Sequence, residues 1–374
     1  MWLLHEGPIG VFQSTAEYPS YGDVKEGREI KHDSTGGWLG ITDKYWMAAV
    51  IPPQNEKIAG RFSVTPQNGV DVFRADYLLG ARSVAPAAKA SVVHRFFAGP
   101  KVNSLLTDYQ ARLGIDSFDM AIDWGWFSPL TIPMFWVLDF LNKLIGNFGL
   151  AILGLTVVVK GLMFPLANRA FESMTKMKKI HPQIKEIQER WKDDRVKLQQ
   201  AQMELFRREK INPMLGCLPL LLQFPVFFAL YKVLFVTIEM RHAPFFGWVH
   251  DLAAPDPTNL FNLFGLLPFV TPEWLHVGIW PLLMGATMIL QMRMNPPATD
   301  PVQQQMLTYM PFLFTYMMAL FPAGLVIYWT WNNILTMAQQ YVIMRRMNVP
   351  FEPNLKLPAW IKSRLKPPSA SPGE

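Results

Sequence analysis

The sequence predicts an α-helical membrane protein with an antiparallel β domain ahead of the helices. Three observations carry that prediction. Half of the 374 residues are hydrophobic and only 17% are charged, with 13 Trp and 26 Phe, too little charge to cover a soluble protein of this size. The apolar excess is uneven: the first third reads as ordinary soluble sequence, and runs approaching the roughly 20 apolar residues of a membrane helix begin near residue 145. Lys and Arg cluster in a few segments beside those runs, the distribution expected of cytoplasmic flanks. The length suits one large domain or two modest ones. The net charge of +6, placed this way, fits an anionic phospholipid surface better than nucleic acid, and no DNA partner is expected. A single cysteine, Cys217, excludes an intrachain disulfide and a thiolate metal cluster. The opening "MWLLHEGPIG" is too short and weakly patterned for a signal peptide.

Residues 1–35 are polar and Gly-rich with no clear pairing pattern, so they read as the remnant of a larger sheet or as a disordered arm. From Trp38 to about Phe97, "KYWMAAVIPP", "IAGRFSV", "VDVFRADYLLG" and "ASVVHRFFAG" alternate with breakers such as "PPQN" and "PQNG". They predict strands of an antiparallel sandwich. His94 sits in the last run without a partner pattern for a metal and reads as a strand or surface residue. "GPKVNSLLTDYQARLG" predicts a short helix ending a partial β domain over 1–114. Residues 115–144 follow, with Trp124, Trp126, Phe127, Phe135 and Trp136 as aromatic anchors and prolines and Asp139 as interruptions. They predict an amphipathic helix lying in the outer membrane interface; the alternative is a helix packed beneath the β domain.

Five spans are predicted within 145–346, at about 145–168, 212–236, 275–294, 304–321 and 324–345, the last two separated by a tight "PAG" turn. Between the first two, 170–210 predicts an antiparallel helical hairpin. Met174, Met177, Ile180, Ile184, Ile187 and Trp191 recur three or four residues apart. "KDD" marks the turn, and Val196, Met203 and Phe206 form a weaker stripe on the return arm. The neutral reading of the stripe is packing of the hairpin on itself; Met174, Met177, Lys178, Lys179, Ile184 and Trp191 are also the candidate contacts with client or lipid, and the basic faces could meet lipid headgroups or ribosomal RNA. Placing the basic hairpin, "QMRM" and "IMRRMN" inside gives alternating orientation through all five spans, with the β domain outside and 347–374 a basic cytoplasmic tail.

Lys160 lies inside the first span, where a charge costs roughly 2.5–3.5 kcal/mol on insertion scales. It could snorkel to the inner headgroups, pair inside the bundle, or face a wet cavity open to the cytoplasm. The nearest acidic neighbour in sequence, Glu172, lies beyond the helix end. Polar residues on the spans favour the cavity: Thr156, Gln223, Tyr231, Tyr309, Tyr316, Tyr328, Asn332 and Asn333. A cationic groove open to lipid can receive a polar or acidic segment of another polypeptide, lowering its desolvation cost. A small-solute or ion transporter is the alternative from physics, although no inverted repeat is visible; a noncatalytic assembly chaperone for membrane complexes is another.

From "GWLGITDKYWMAA" through "VKGLMFPL", "MTKMKKIHPQIKEIQERWKDD", "INPMLGCLPLLLQFPVFFALYKVL", "APFFGWVHDLAAPDP", "DPVQQQMLTYMPFLFTYMMALFPAGLVIYW" and "VIMRR", the chain resembles the YidC/Oxa1/Alb3 family of membrane protein insertases, in its bacterial form. The resemblance implies a non-enzymatic insertase and folding chaperone of the bacterial inner membrane, working alone or with the Sec translocon. It implies nascent membrane-protein clients, a ribosome at the cytoplasmic face, and no cofactor or metal. It also implies an earlier membrane helix and a fuller sandwich, absent from this sequence. The family's groove charge is usually Arg; the matching residue is Lys160, which keeps the sign but not the multi-donor fork. Thr156 and Trp329 would line the groove, Trp329 standing where Tyr is usual; the polar residues Gln223, Tyr328 and Asn332 on the other spans are read as lining it with them. Cys217 and Pro219 would shape the second span.

Overall fold

The computed structural model describes residues 4–192, 194–212, 218–269, 271–295 and 301–349. Two compact units are present. The first takes in residues 1–157, 222–258 and 320–327, and the second the remainder.

The β domain lies in the first unit. Strands β1 (Gly7–Phe12), β2 (Thr15–Glu17), β4 (Trp38–Thr42), β5 (Trp46–Ile51) and β8 (Arg95–Pro100) form one antiparallel sheet in the order β2-β1-β4-β5-β8. Strands β3 (Glu29–Thr35), β6 (Lys57–Gln67) and β7 (Val70–Leu79) form a second, in the order β3-β6-β7. Phe12 and Leu39 of the first sheet, Phe62 of the second and Val24 of the short helix α1 (Tyr21–Gly27) share one buried cluster, as two sheets packed face to face require. Residues 7–35 are therefore not a disordered arm. β1 is buried along its whole length, so it lacks the alternation that marks a half-exposed strand. β3 runs polar, "EIKHDST", yet pairs with β6 from Glu29↔Ser63 to Thr35↔Lys57. The turn between β3 and β4 uses Gly36 and Gly37, both at positive φ. A Cβ on Gly37 would collide with the carbonyl of Val11, so only glycine fits there. His94 is exposed beside Tyr77, whose hydroxyl it meets.

Helix α2 (Asn103–Leu113) follows β8 and has no side-chain cap of its own, its N-cap being Val102. The cap arrives from 136 residues away: Glu239 Oε1 accepts the Asn103 N–H at 2.9 Å. A carboxylate at a helix N-terminus is favourable, but Oε2 is buried without a partner among the described residues. Burial holds the Glu239 carboxyl above its ordinary value, against the lowering by two backbone hydrogen bonds. The folded chain thus binds this proton more tightly than the unfolded chain. Protonation stabilises the fold as pH falls through the folded pKa, and the gain is complete below the unfolded value of 4.5. Glu239→Gln removes the titration, so the difference in Tm between parent and variant should move in the parent's favour on acidification from neutral pH. A difference that stays constant with pH would count against the assignment.

Helix α3 (Ser128–Ile145) buries Thr131, Met134, Phe135 and Leu138, and exposes Trp136, Phe140 and Leu144 one turn apart. Trp126, just ahead of it, is 82% exposed. Gly146 ends α3 in the left-handed region, and the Asn147 side chain accepts the Leu150 N–H at 3.0 Å. A glycine C-cap and an asparagine N-cap therefore separate α3 from the next helix.

That helix, α4 (Phe148–Arg190), has 43 residues. It is one continuous helix where the sequence predicts a span ending near 168 and a separate hairpin arm from 170. The change from apolar to charged residues after Arg169 alters the preferred solvent, not the backbone, and Pro165 and Pro182 remove single hydrogen bonds without ending it. Helix α5 (Arg195–Arg208) returns antiparallel, with Asp194 accepting the Lys197 N–H at 3.0 Å as its cap. Ile180, Ile184, Leu205 and Ile211 form the hairpin core, joined by Met177, Ile187 and Phe206. On the return arm Leu205 carries the packing, whereas Val196 and Met203 are exposed.

Four further helices are α6 (Leu218–Val236), α7 (Ile279–Met294), α8 (Pro301–Met318) and α9 (Ala323–Arg346). In the first unit the start of α9 is tied to the connection after α6, Ala323 N–H donating to Ala254 at 2.7 Å and Gly324 N–H to Leu252 at 3.0 Å. In the second unit α7 packs on α8, with Gly285 directly against Thr315. Five helices occupy the five predicted positions, but among the described residues only α4 is long and apolar enough to cross a membrane by length and composition, with 221–236 a shorter apolar stretch. Polar residues set α8 and α9 apart, α8 opening "PVQQQ" and α9 carrying "WNN" and "QQ", while α7 has only 16 residues. The tail from 350, Asp193, Cys217 and the side chain of Pro219 lie outside the described residues.

Candidate functional site

Helix geometry builds a polar layer in the second unit. On α9, positions 329, 332 and 336, and 333, 336 and 340, recur at intervals of three or four, so all five share a face. Trp329, Asn332, Asn333, Thr336 and Gln340 are all buried there. Lys160 of α4 meets this face: its Nζ donates to Thr336 Oγ1 at 2.6 Å, and that hydroxyl donates to the Asn332 carbonyl at 2.6 Å. Among the described residues no carboxylate lies within ion-pair distance of Lys160. The hydroxyl satisfies one ammonium donor and leaves the charge uncompensated.

The layer continues to α7. Asn333 Nδ2 donates to Thr287 Oγ1 at 3.1 Å, and Thr287 donates to the Met284 carbonyl at 2.7 Å. Gln340 Nε2 donates to Oδ1 of Asn295, the residue closing α7, at 3.0 Å. Its own Oε1 is buried and unpaired among the described residues. The Trp329 ring packs 4.9 Å from Phe314 of α8, and Tyr328 is buried. One to two turns beyond Lys160, a cavity of about 230 Å³ is lined by Phe164 and Asn168 of α4 and by Gln339, Val342 and Arg346 of α9.

Of the residues singled out from sequence, Lys160, Tyr328, Trp329 and Asn332 belong to this second unit. Thr156 and Gln223 belong to the first; Thr156 is buried, and its hydroxyl donates to the Ile152 carbonyl at 2.7 Å. In the hairpin, Ile184 is buried in the core and Met177 packs on it. Met174 packs instead with Phe171 and with Ile343 of α9. Lys179 is exposed, Lys178 half-buried, and Trp191 half-buried under the Lys197 ammonium, 5.1 Å from its ring. Thr336, Gln340, Thr287 and Asn295 were missed, although Thr336 follows Asn332 by one turn in a pattern already visible.

Comparison with known proteins bears on these units. Residues 140–350, more than half of the chain, match the family described as "60Kd inner membrane protein". The chain belongs to this family. Residues 1–137 match the model of the YidC periplasmic domain, so the β domain is a periplasmic domain ahead of an inner-membrane helical core. Similar proteins are the membrane protein insertase YidC of Brucella suis biovar 1, 54% identical over 94% of this chain and 58% of that protein, and that of Methylorubrum extorquens, 52% identical over 94% of this chain and 59% of that protein. The chain therefore spans somewhat under two thirds of the length of these relatives. The crystal structure of an active YidC insertase with its first transmembrane domain resolved is 18% identical with a TM-score of 0.48, covering 90% of this chain and 83% of that one.

Proposed function

We propose that the chain acts as a membrane protein insertase and folding chaperone, passing short hydrophilic segments of a client while its apolar helix enters lipid. The observation that carries this is Lys160: a lysine in the apolar N-terminal half of α4 whose ammonium finds a hydroxyl and, among the described residues, no carboxylate, set against a buried amide-rich face of α9. A desolvated positive charge of this kind attracts an acidic or polar segment leaving water. Lys160 supplies the charge, and Thr336, Asn332, Asn333 and Trp329 the polar and aromatic wall. The names of the relatives support the same reading.

In this proposal α4, α6, α7, α8 and α9 are five spans. The hairpin and the basic tail are cytoplasmic and the β domain is periplasmic, as the basic clusters favour. The exposed basic residues of the hairpin, Lys179 among them, face the ribosome and anionic phospholipids, and the Sec translocon is a partner for larger clients. The apolar face of α3 that exposes Trp136, Phe140 and Leu144 lies in the outer interface.

Reconstitution of the purified full chain into liposomes tests the proposal. A single-span client with a short acidic tail should become protease-protected across the bilayer, well above empty liposomes. Solute flux without insertion would replace the proposal by a transporter, and improved assembly of a complex without insertion by an assembly chaperone.

A further inference from the structure

A second cationic site lies in the first unit, where the β4–β5 turn meets the end of α6. Lys44 Nζ sits 3.6 Å from the ring centroid of Phe235, the penultimate residue of α6, and 4.9 Å from that of Tyr45. The Arg241 guanidinium stacks on the same Tyr45 ring at 5.3 Å. Two cations thus share one aromatic ring, an arrangement that holds charge near an apolar surface. Neither has a carboxylate within ion-pair distance among the described residues. Asp251, which acts on Lys44 from further away, is engaged by His242 at 3.1 Å and by the Ala253 N–H at 2.8 Å. Glu6 also acts at longer range, and Arg241 opposes the Lys44 charge.

We propose that Lys44 and Arg241, oriented by Tyr45, bind the phosphate of an anionic phospholipid at the periplasmic end of α6. The inference rests on the reading of α6 as a span, which puts its C-terminal end at the headgroup layer. A phosphodiester placed between the two cations removes their mutual repulsion and offers oxygens to both an ammonium and a guanidinium. A lipid, and not free phosphate, is the occupant that suits the surroundings. Trp46, the first residue of β5, is 52% exposed, and Phe246 and Trp248 are exposed on the connection after α6. Aromatic rings of this kind sit at the boundary between headgroups and acyl chains. The site also gives the periplasmic domain a lipid contact of its own, independent of the basic cytoplasmic hairpin.

A photo-crosslinking residue at position 46, and separately at the exposed α6 position 228, tests both the site and its premise. The full chain is reconstituted in phosphatidylcholine vesicles containing labelled phosphatidylglycerol. Both probes should capture lipid. Capture at 46 should fall about tenfold in Lys44→Glu/Arg241→Glu, the loss of about one charge-assisted contact. It should persist in Lys44→Arg/Arg241→Lys and resist added inorganic phosphate. Capture at 46 that ignores the charge reversal, or is lost equally in the charge-conserving pair, overturns the site, and competition by inorganic phosphate overturns the lipid as its source. Capture at 228 without capture at 46 overturns the site and leaves the span standing. Capture at neither overturns the span and the site with it.

Discussion

Asp123→Ala is expected to destabilise the folded chain by about 3–5 kcal/mol, the range for removing one member of a buried ion pair. In the first unit, Lys232 Nζ of α6 lies 2.7 Å from Asp123 Oδ2, with side chains 7% and 24% exposed. The carboxylate is held in place by the Gly125 N–H, which meets Oδ1 at 2.9 Å. Gly125 itself is at positive φ, and a Cβ there would lie 3.3 Å from Lys232 Cε, so the turn 123–125 is shaped around the lysine. The two single substitutions should differ. Losing Asp123 removes the carboxylate from a deeply buried ammonium, whose neighbour Lys101 is also buried and held by Thr42 at 2.8 Å. Losing Lys232, as in Lys232→Met, leaves a carboxylate that retains one backbone donor and some access to water, a cost nearer 1–2 kcal/mol. The double variant should be less destabilised than the sum of the singles, since an apolar replacement for a buried pair is often neutral. Thermal unfolding of all four proteins in one detergent gives the comparison, and additive losses would show that the pair is not coupled.

Lys232 also shows where sequence reading stopped. "FFALYKVLF" places an ammonium in an apolar run just as "TVVVKGLMF" does, so Lys232 carries the same insertion cost as Lys160. Its partner is 109 residues away, in a segment that reads as an aromatic interfacial stretch, so no local pattern joins the two. The strands β5 to β8 were legible because half-exposed strands alternate. β1 was not, because burial on both faces erases alternation, and β3 was not, because its partner β6 supplies what its own residues lack. The helical stretches were legible from apolar length. The continuity of α4 was not, because a change of solvent along a helix looks in sequence like a boundary. At the candidate site the charge and the asparagines on α9 were visible, whereas the bond from Lys160 to Thr336 spans 176 residues. Periodicity places Thr336 on the right face of α9; only the packing of α4 against α9 selects it as the acceptor.

Lys160→Glu should reduce insertion of an acidic-tailed client at least about tenfold, while Lys160→Arg retains most of it. Two unit charges about 4 Å apart interact by about 4 kcal/mol at the effective dielectric near a protein surface, so a sign reversal moves the encounter by more than the 1.4 kcal/mol that makes a factor of ten. Lys160→Met, which removes the attraction without adding repulsion, should fall between them. Thr336→Val should cost little for insertion, because the hydroxyl orients the ammonium without changing its charge. A client identical except for a neutral tail separates this account from simple misfolding. If Lys160→Glu only damaged the fold, both clients would be lost together. If the charge recruits the segment, the acidic-tailed client is lost selectively, and the defect is less sensitive to added salt than a surface effect would be, since a half-buried charge is poorly screened. Equal insertion of the acidic client by the Glu and Arg variants would leave Lys160 as a helix-packing residue with no part in client recognition.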